Sequence, residues 1–158
     1  MTKILFICLG NICRSPLAQG MMEYHLKRAG FESRVAVDSA GTAGYHVGAT
    51  PDDRAVVAAS RRGIDISHQR ARQIQTSDFE LFDYICAMDI ENLTALRSRC
   101  PAPESDKLGL LLDFAPQSVG QEVPDPYYGG EEGFEHALDL IESVVIGLIE
   151  EIRSRHRQ

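Results

Sequence analysis

An α/β fold, with a parallel sheet covered by helices on both faces, is what this sequence predicts, on three observations. Short apolar runs of strand length alternate with segments of helical periodicity along the chain. The first run, Ile4-Leu5-Phe6-Ile7, is apolar at consecutive positions instead of alternate ones, as in a strand buried on both faces. The last long segment, Phe134 to about Arg155, carries Phe134, Ala137, Leu138, Ile141, Val145, Leu148, Ile149 and Ile152 at helical spacing. The 158 residues fit a single domain, and repeats, linkers and a second domain are not expected.

The elements follow in order. Lys3–Leu9 is the first strand. Ser15–Ala29 is a helix with a stripe of Leu17, Ala18, Met21, Met22, His25 and Ala29, and Gly30 sits where a glycine stops a helix. Ser15 is expected to cap it, with Pro16 at the first helical position. Arg34–Ser39 is a second strand, leading to the glycine-rich loop Ala40–Gly48. Pro51 and Asp52 open a helix that runs to about Arg62 and ends at Gly63. Ile64–Gln75 is polar and irregular, and Ser77-Asp78 caps a short helix through Leu81. Tyr84–Met88 is a third strand, Asp89 caps a helix through about Arg99, and Leu108–Leu112 is a fourth strand. Asp113–Gly133 is a long connection rich in Pro and Gly, and so long a loop in a compact domain is usually functional. The basic residues Arg153, Arg155 and Arg157 suit the negative end of the final helix.

Composition narrows the function. Apolar content of 44% and charged content of 25% are ordinary for a water-borne globular chain. A net charge of −7 argues against a nucleic-acid partner, which would call for a basic patch. Cys8, Cys13, Cys86 and Cys100 are too few and too irregular for a secreted disulfide scaffold, and no His/Cys spacing resembles a zinc site. There is neither a signal peptide nor a stretch long enough to span a membrane, so a cytoplasmic chain without a membrane partner is expected.

The chemistry concentrates in Cys8-Leu9-Gly10-Asn11-Ile12-Cys13-Arg14-Ser15-Pro16, between the first strand and the first helix. A loop ending in a helix N-terminus points several main-chain N–H groups at one spot, and the helix dipole adds partial positive charge there. Arg14 adds a planar fork of donors for an oxyanion. Gly10 permits close main-chain approach and Asn11 tolerates the left-handed region. In such a field Cys8 is favoured as a thiolate nucleophile. The competing reading of Cys8 is a buried cysteine before an ordinary strand–helix turn.

Cys8 to Pro16 resembles the signature of the low-molecular-weight protein tyrosine phosphatases. Ser39-Ala40-Gly41-Thr42 with His46, and Asp125-Pro126-Tyr127-Tyr128-Gly129-Gly130, resemble that family's other landmarks, so the likeness spans residues 1–158 as one phosphatase domain. It implies a flavodoxin-like sheet of order 2-1-3-4, with the ligand at the carboxyl ends of the strands. It also implies hydrolysis of an aryl phosphate monoester through a cysteinyl-phosphate on Cys8, with Arg14 and the amides of Leu9, Gly10, Asn11, Ile12 and Cys13 on the phosphate. Neither a cofactor nor a metal is implied. Asp125 is the implied general acid for a leaving phenolate, whose conjugate acid has a pKa of about 10. A bound dianion beside a carboxyl favours its protonated form. Without the likeness, Asp125 before Pro126 reads equally as a turn residue.

By the same likeness Ser15 stabilises the Cys8 sulfur, Asn11 holds the loop in shape, and Ser39 and His68 support that network. Tyr127 and Tyr128 form one aromatic wall and Tyr45 the other, where relatives often carry Trp. Asp89 and Arg54 resemble family positions too, though a helix cap and a solvated charge explain them equally. A reversible Cys8–Cys13 disulfide under peroxide is a further expectation, while Cys86 and Cys100 read as inert. The expected partners are phosphotyrosine-containing proteins, a tyrosine kinase among them, and inorganic phosphate, with the chain acting as a monomer. Three rivals remain: a protein-arginine phosphatase, which typically has Thr where Ile12 stands; an arsenate reductase, which needs further relay cysteines; and a phosphate-binding or redox-sensing module.

Overall fold

Side chains of one strand, pointing alternately to two sides, organise the molecule. A computed structural model of the chain describes residues 1–128 and 130–156, with Tyr128 described in its main chain only. Strand β1 (Thr2–Cys8) lies inside a four-stranded parallel sheet with β2 (Val35–Gly41), β3 (Tyr84–Ala87) and β4 (Leu108–Leu110), in the order β2-β1-β3-β4. The 2-1-3-4 order implied by the family likeness is the observed one. Ile4, Phe6 and Cys8 of β1 enter one apolar layer, built with helices α1 (Arg14–Arg28), α2 (Asp53–Ser60) and α5 (Gly130–His156). Leu5 and Ile7 enter the opposite layer, against Phe79 of α3 (Asp78–Leu81) and Leu93 and Leu96 of α4 (Ile90–Arg99). The consecutive apolar run of β1 therefore reflects a strand covered on both faces.

Helix α5 is the chief support of the first layer. Its apolar face is buried as expected, and Val144 joins it. Each such aliphatic side chain contributes about 2 kcal/mol when removed from water. Arg62, just beyond α2, reaches across to Glu135 and Asp139 of α5 at 2.7 and 2.8 Å.

Several boundaries differ from expectation for identifiable reasons. Helix α5 begins at Gly130, not Phe134, because Glu131 and Glu132 in its first turn suit the positive end of the dipole. The preceding connection carries short 3₁₀ turns at Leu111–Phe114, Pro116–Ser118 and Pro126–Tyr128, the first of them taking Leu111 and Leu112 from the expected fourth strand. In α1 the inward stripe runs through Leu26, while Ala29 is exposed and His25 half-buried, pairing with Glu142 at 2.9 Å. Ser15 does not cap α1: the cap position is Cys13, without a side-chain hydrogen bond, and Ser15 lies in the first turn with its hydroxyl used elsewhere. Asp52 and Asp89 do cap α2 and α4, accepting from the main-chain N–H of Arg54 and of Asn92. The expectation for Arg157 and the Gly129 portion of the Asp125–Gly130 motif lie outside the described residues.

Candidate active site

The loop after β1 is held from beneath by side chains that face away from solvent. Asn11 has φ 59°, the one left-handed non-glycine among the described residues. Its Nδ2 donates to Ser15 Oγ at 2.8 Å and Ser39 Oγ at 3.0 Å, and its Oδ1 accepts the Arg72 N–H at 2.9 Å. These three bonds offset the cost of the rare conformation, about 1 kcal/mol or more. Ser39 passes its own proton to Gln19 Oε1 at 2.8 Å. Ser15 Oγ, which accepts from Asn11, lies 3.0 Å from Cys8 Sγ, within hydrogen-bond distance of the sulfur.

The loop's carbonyls are tied, those of Cys8, Leu9, Ile12 and Cys13 accepting from Thr42, Ala43, Asp52 and Leu17, while its N–H groups are uncommitted. Among the described residues, none accepts a hydrogen bond from the N–H groups of residues 10–15. Six adjacent free donors at a helix N-terminus form an anion cradle. The buried Arg14 guanidinium stands beside it, its Nη1 fixed by Asp89 Oδ2 at 2.7 Å and the Val123 carbonyl at 2.9 Å. One carboxylate thus serves twice, since Asp89 Oδ1 caps α4 while Oδ2 aims Arg14. Arg14 Nη2 lies 3.8 Å from Asp125 Oδ2. Asp125, whose side chain is 44% exposed, accepts the Tyr127 N–H at 3.0 Å, which is the turn role anticipated from sequence.

These groups share one cavity of about 290 Å³. Cys8, Cys13 and Arg14 line it as buried residues, Gly10 and Ile12 as partly buried ones, and Leu9, Tyr45, Tyr127 and Asp125 as exposed ones. The volume lies at the small end for ligand sites and suits one aryl phosphate. Tyr45 and Tyr127 are where the aromatic walls are expected; the Tyr128 side chain is outside the described set. His46 also lines the cavity, which sequence reading noted only as a landmark. A Cβ on Gly10 would come within 2.9 Å of His46 Cδ2, so the bare glycine is what lets the imidazole pack onto the loop.

His68 does not join the network. It is exposed beside Asp65 and Glu23, and its neighbour Gln69 is the residue turned inward, donating to the Pro16 carbonyl at 3.1 Å. His68 sits in the turn closed by the Gln69 N–H on the Ile66 carbonyl at 3.1 Å, which leaves it at the surface and turns Gln69 inward. The support expected from His68 comes instead from Gln19 and the main chain of Arg72. Arg72 is itself clamped by Asp78 at 2.9 Å and Asp38 at 3.0 Å.

All four cysteines are unpaired. Burial, then the charges of Asp52, Cys8 and Asp125, push the Cys13 thiol up to about 12, against a smaller opposing effect of Arg54. Burial pushes Cys86 up to about 12, and burial also raises Cys100. No group of three or more His, Cys, Asp or Glu side chains among the described residues could hold a metal.

The chain is similar to known proteins along nearly its whole length. Residues 3–158 match the family described as low molecular weight phosphotyrosine protein phosphatase. A putative low molecular weight protein-tyrosine-phosphatase of Synechocystis is 43% identical over 148 residues, covering 93% of this chain and 94% of its own. The human low molecular weight phosphotyrosine protein phosphatase is 41% identical over 135 residues, 84% of each chain. A crystal structure of a protein tyrosine phosphatase from Entamoeba histolytica, with Hepes in the active site, superposes with a TM-score of 0.94 at 39% identity, covering 99% of both chains.

Proposed function

The chain belongs to the low molecular weight phosphotyrosine protein phosphatase family, and we propose from that premise that it hydrolyses phosphotyrosine in proteins with Cys8 as nucleophile, Arg14 as phosphate ligand and Asp125 as general acid and base. The observation that carries the assignment is the meeting of all three around one cavity whose loop N–H groups are unspent. In the first step the Cys8 sulfur attacks phosphorus, the S–P bond forms, and the P–O bond to the aryl group breaks. Asp125 gives its proton to the departing phenolate. In the second step Asp125 takes a proton from water, whose oxygen attacks phosphorus; the S–P bond breaks and inorganic phosphate leaves. The loop amides and Arg14 hold the equatorial oxygens throughout, and phosphoryl transfer asks for little beyond alignment and charge stabilisation.

Leu9, Gly10, Asn11, Ile12, Cys13 and Ser15 form the phosphate seat in this reading, with Tyr45, Tyr127 and Tyr128 beside the ring. Ser15 stabilises the sulfur as nucleophile and leaving group, and Ser39 with Asn11 keeps the loop in shape. Phosphotyrosine-containing proteins are the substrates, a tyrosine kinase of the same cell among them, and inorganic phosphate is product and competitor. The chain acts as a monomer in the cytoplasm; four unpaired cysteines suit a reducing compartment, and no helix among the described residues is long and apolar enough to cross a membrane. Under peroxide, Cys8 is oxidised to the sulfenic acid, and the Cys13 sulfur displaces its oxygen as water to give a reversible disulfide.

Hydrolysis of p-nitrophenyl phosphate without added metal tests the reading. Activity is expected for the parent chain and its loss in Cys8→Ser. Asp125→Asn is expected to lose about 100-fold or more on phosphotyrosine and much less on esters with good leaving groups. Retained activity in Cys8→Ser rejects the covalent mechanism, and equal losses on both ester types remove Asp125 from the acid role.

A further inference from the structure

Arg54 stands between the two halves of the site without lining the cavity. Its guanidinium carbon lies 5.2 Å from the centre of the Tyr127 ring and 5.0 Å from that of Phe134. Its Nε and Nη2 are held by Asp52 at 3.1 and 3.0 Å, the two oxygens of one carboxylate. Asp52 is anchored in turn: its side chain caps α2, and its N–H donates to the Ile12 carbonyl of the phosphate loop at 2.8 Å. On the far side, the Tyr127 N–H is bonded to Asp125 Oδ1 at 3.0 Å. An unbroken chain of contacts therefore runs from the phosphate loop through Asp52, Arg54 and Tyr127 to Asp125. Phe134, buried in α5, is the fixed platform beneath the guanidinium.

We propose that Arg54 is a positioning residue, a cationic spacer that sets the height of the Asp125 segment over the nucleophile by stacking on Tyr127. The inference rests on Asp125 acting as general acid. A planar guanidinium suits the task, because it stacks on aromatic faces while its edge stays in the carboxylate's fork. Asp125 is partly exposed and, apart from its approach to Arg14, bonded within its own turn, so its place at the cavity it shares with Cys8 depends on what holds Tyr127. Arg54 touches neither phosphate nor leaving group in this arrangement. Its loss should therefore act on proton delivery and leave phosphate capture intact.

The test compares Arg54→Ala, Arg54→Lys and Asp125→Asn on a series of aryl phosphates spanning good and poor leaving groups. Inhibition by inorganic phosphate and the melting temperature are measured alongside. Arg54→Ala is expected to lower kcat about tenfold on phosphotyrosine and less than about twofold on the best leaving groups, since small misplacements of a catalytic group cost about this much. Its inhibition by phosphate should be unchanged. Arg54→Lys, which keeps the cation but not the plane, should fall between. Equal losses across the series in Arg54→Ala, with Asp125→Asn still leaving-group dependent, overturn the inference and spare the proposed mechanism. A flat series in Asp125→Asn overturns the acid assignment and this inference with it. Weakened phosphate inhibition in Arg54→Ala shows that the residue shapes the seat itself, which also contradicts the proposal.

Discussion

Cys8 and Cys13 lie against the same cavity and are both buried, so exposure does not distinguish them; their neighbours do. Cys8 faces the Ser15 hydroxyl. Cys13 faces burial and the carboxylates of Asp52 and Asp125, which hold its thiol at about 12. A thiol so placed keeps its proton at every pH below that value, leaving about one part in 10⁵ ionised at neutrality. Iodoacetamide at neutral pH is therefore expected to modify Cys8, with protection by inorganic phosphate, and to leave Cys13 and Cys86 untouched. Peptide mass spectrometry reads the outcome; equal alkylation of Cys8 and Cys13 would contradict this account of their surroundings.

At the scale of elements, the close fit of the β1 and β2 ends decides the loop's shape. A Cβ on Gly41 would come within 2.7 Å of the Leu9 carbonyl oxygen and 3.1 Å of the Gly10 carbonyl carbon, both main chain and unable to step aside cheaply. Gly41→Ala is expected to destabilise the fold by about 1–3 kcal/mol and to lower activity more than fluorescence or circular dichroism at room temperature would suggest. Thermal unfolding together with phosphatase rates checks both parts; an active, fully stable variant would show that the loop does not depend on this approach. Much at this scale was legible in the sequence. A consecutive apolar run of strand length is typical of a strand covered on both sides, and Asp52 and Asp89 announced their helices by chemistry and position. What sequence could not carry was direction. Whether His68 or Gln69 turns inward depends on the twist of an irregular segment with no period to fix it. Ser15 has the chemistry of a cap, and only the nearness of Cys8 and Asn11 shows why it is spent on sulfur. Gln19 and Arg72 gave no signal, because each is an ordinary helix or loop residue until the fold brings Ser39 beside the one and Asn11 beside the other.

The whole molecule is an acidic body with a local positive place at the end of β1. Net charge is −7, yet the free amides of the loop, the start of α1 and the buried Arg14 converge at a single point. The two apolar layers hold β1 rigid from both sides, so the cradle at its end is preformed and little rearrangement is needed when an oxyanion arrives. The identity of Cys8 as nucleophile is visible in sequence, whereas the double role of Asp89 and the bridge through Arg54 emerge only from the folded chain. Crystallography of the protein soaked in vanadate probes the central claim most directly. The account predicts vanadium bonded to the Cys8 sulfur, equatorial oxygens on the loop N–H groups and Arg14, and an apical oxygen within hydrogen-bond reach of Asp125. Vanadate absent from the loop, or bound there with the Cys8 sulfur turned away into the core, would contradict it.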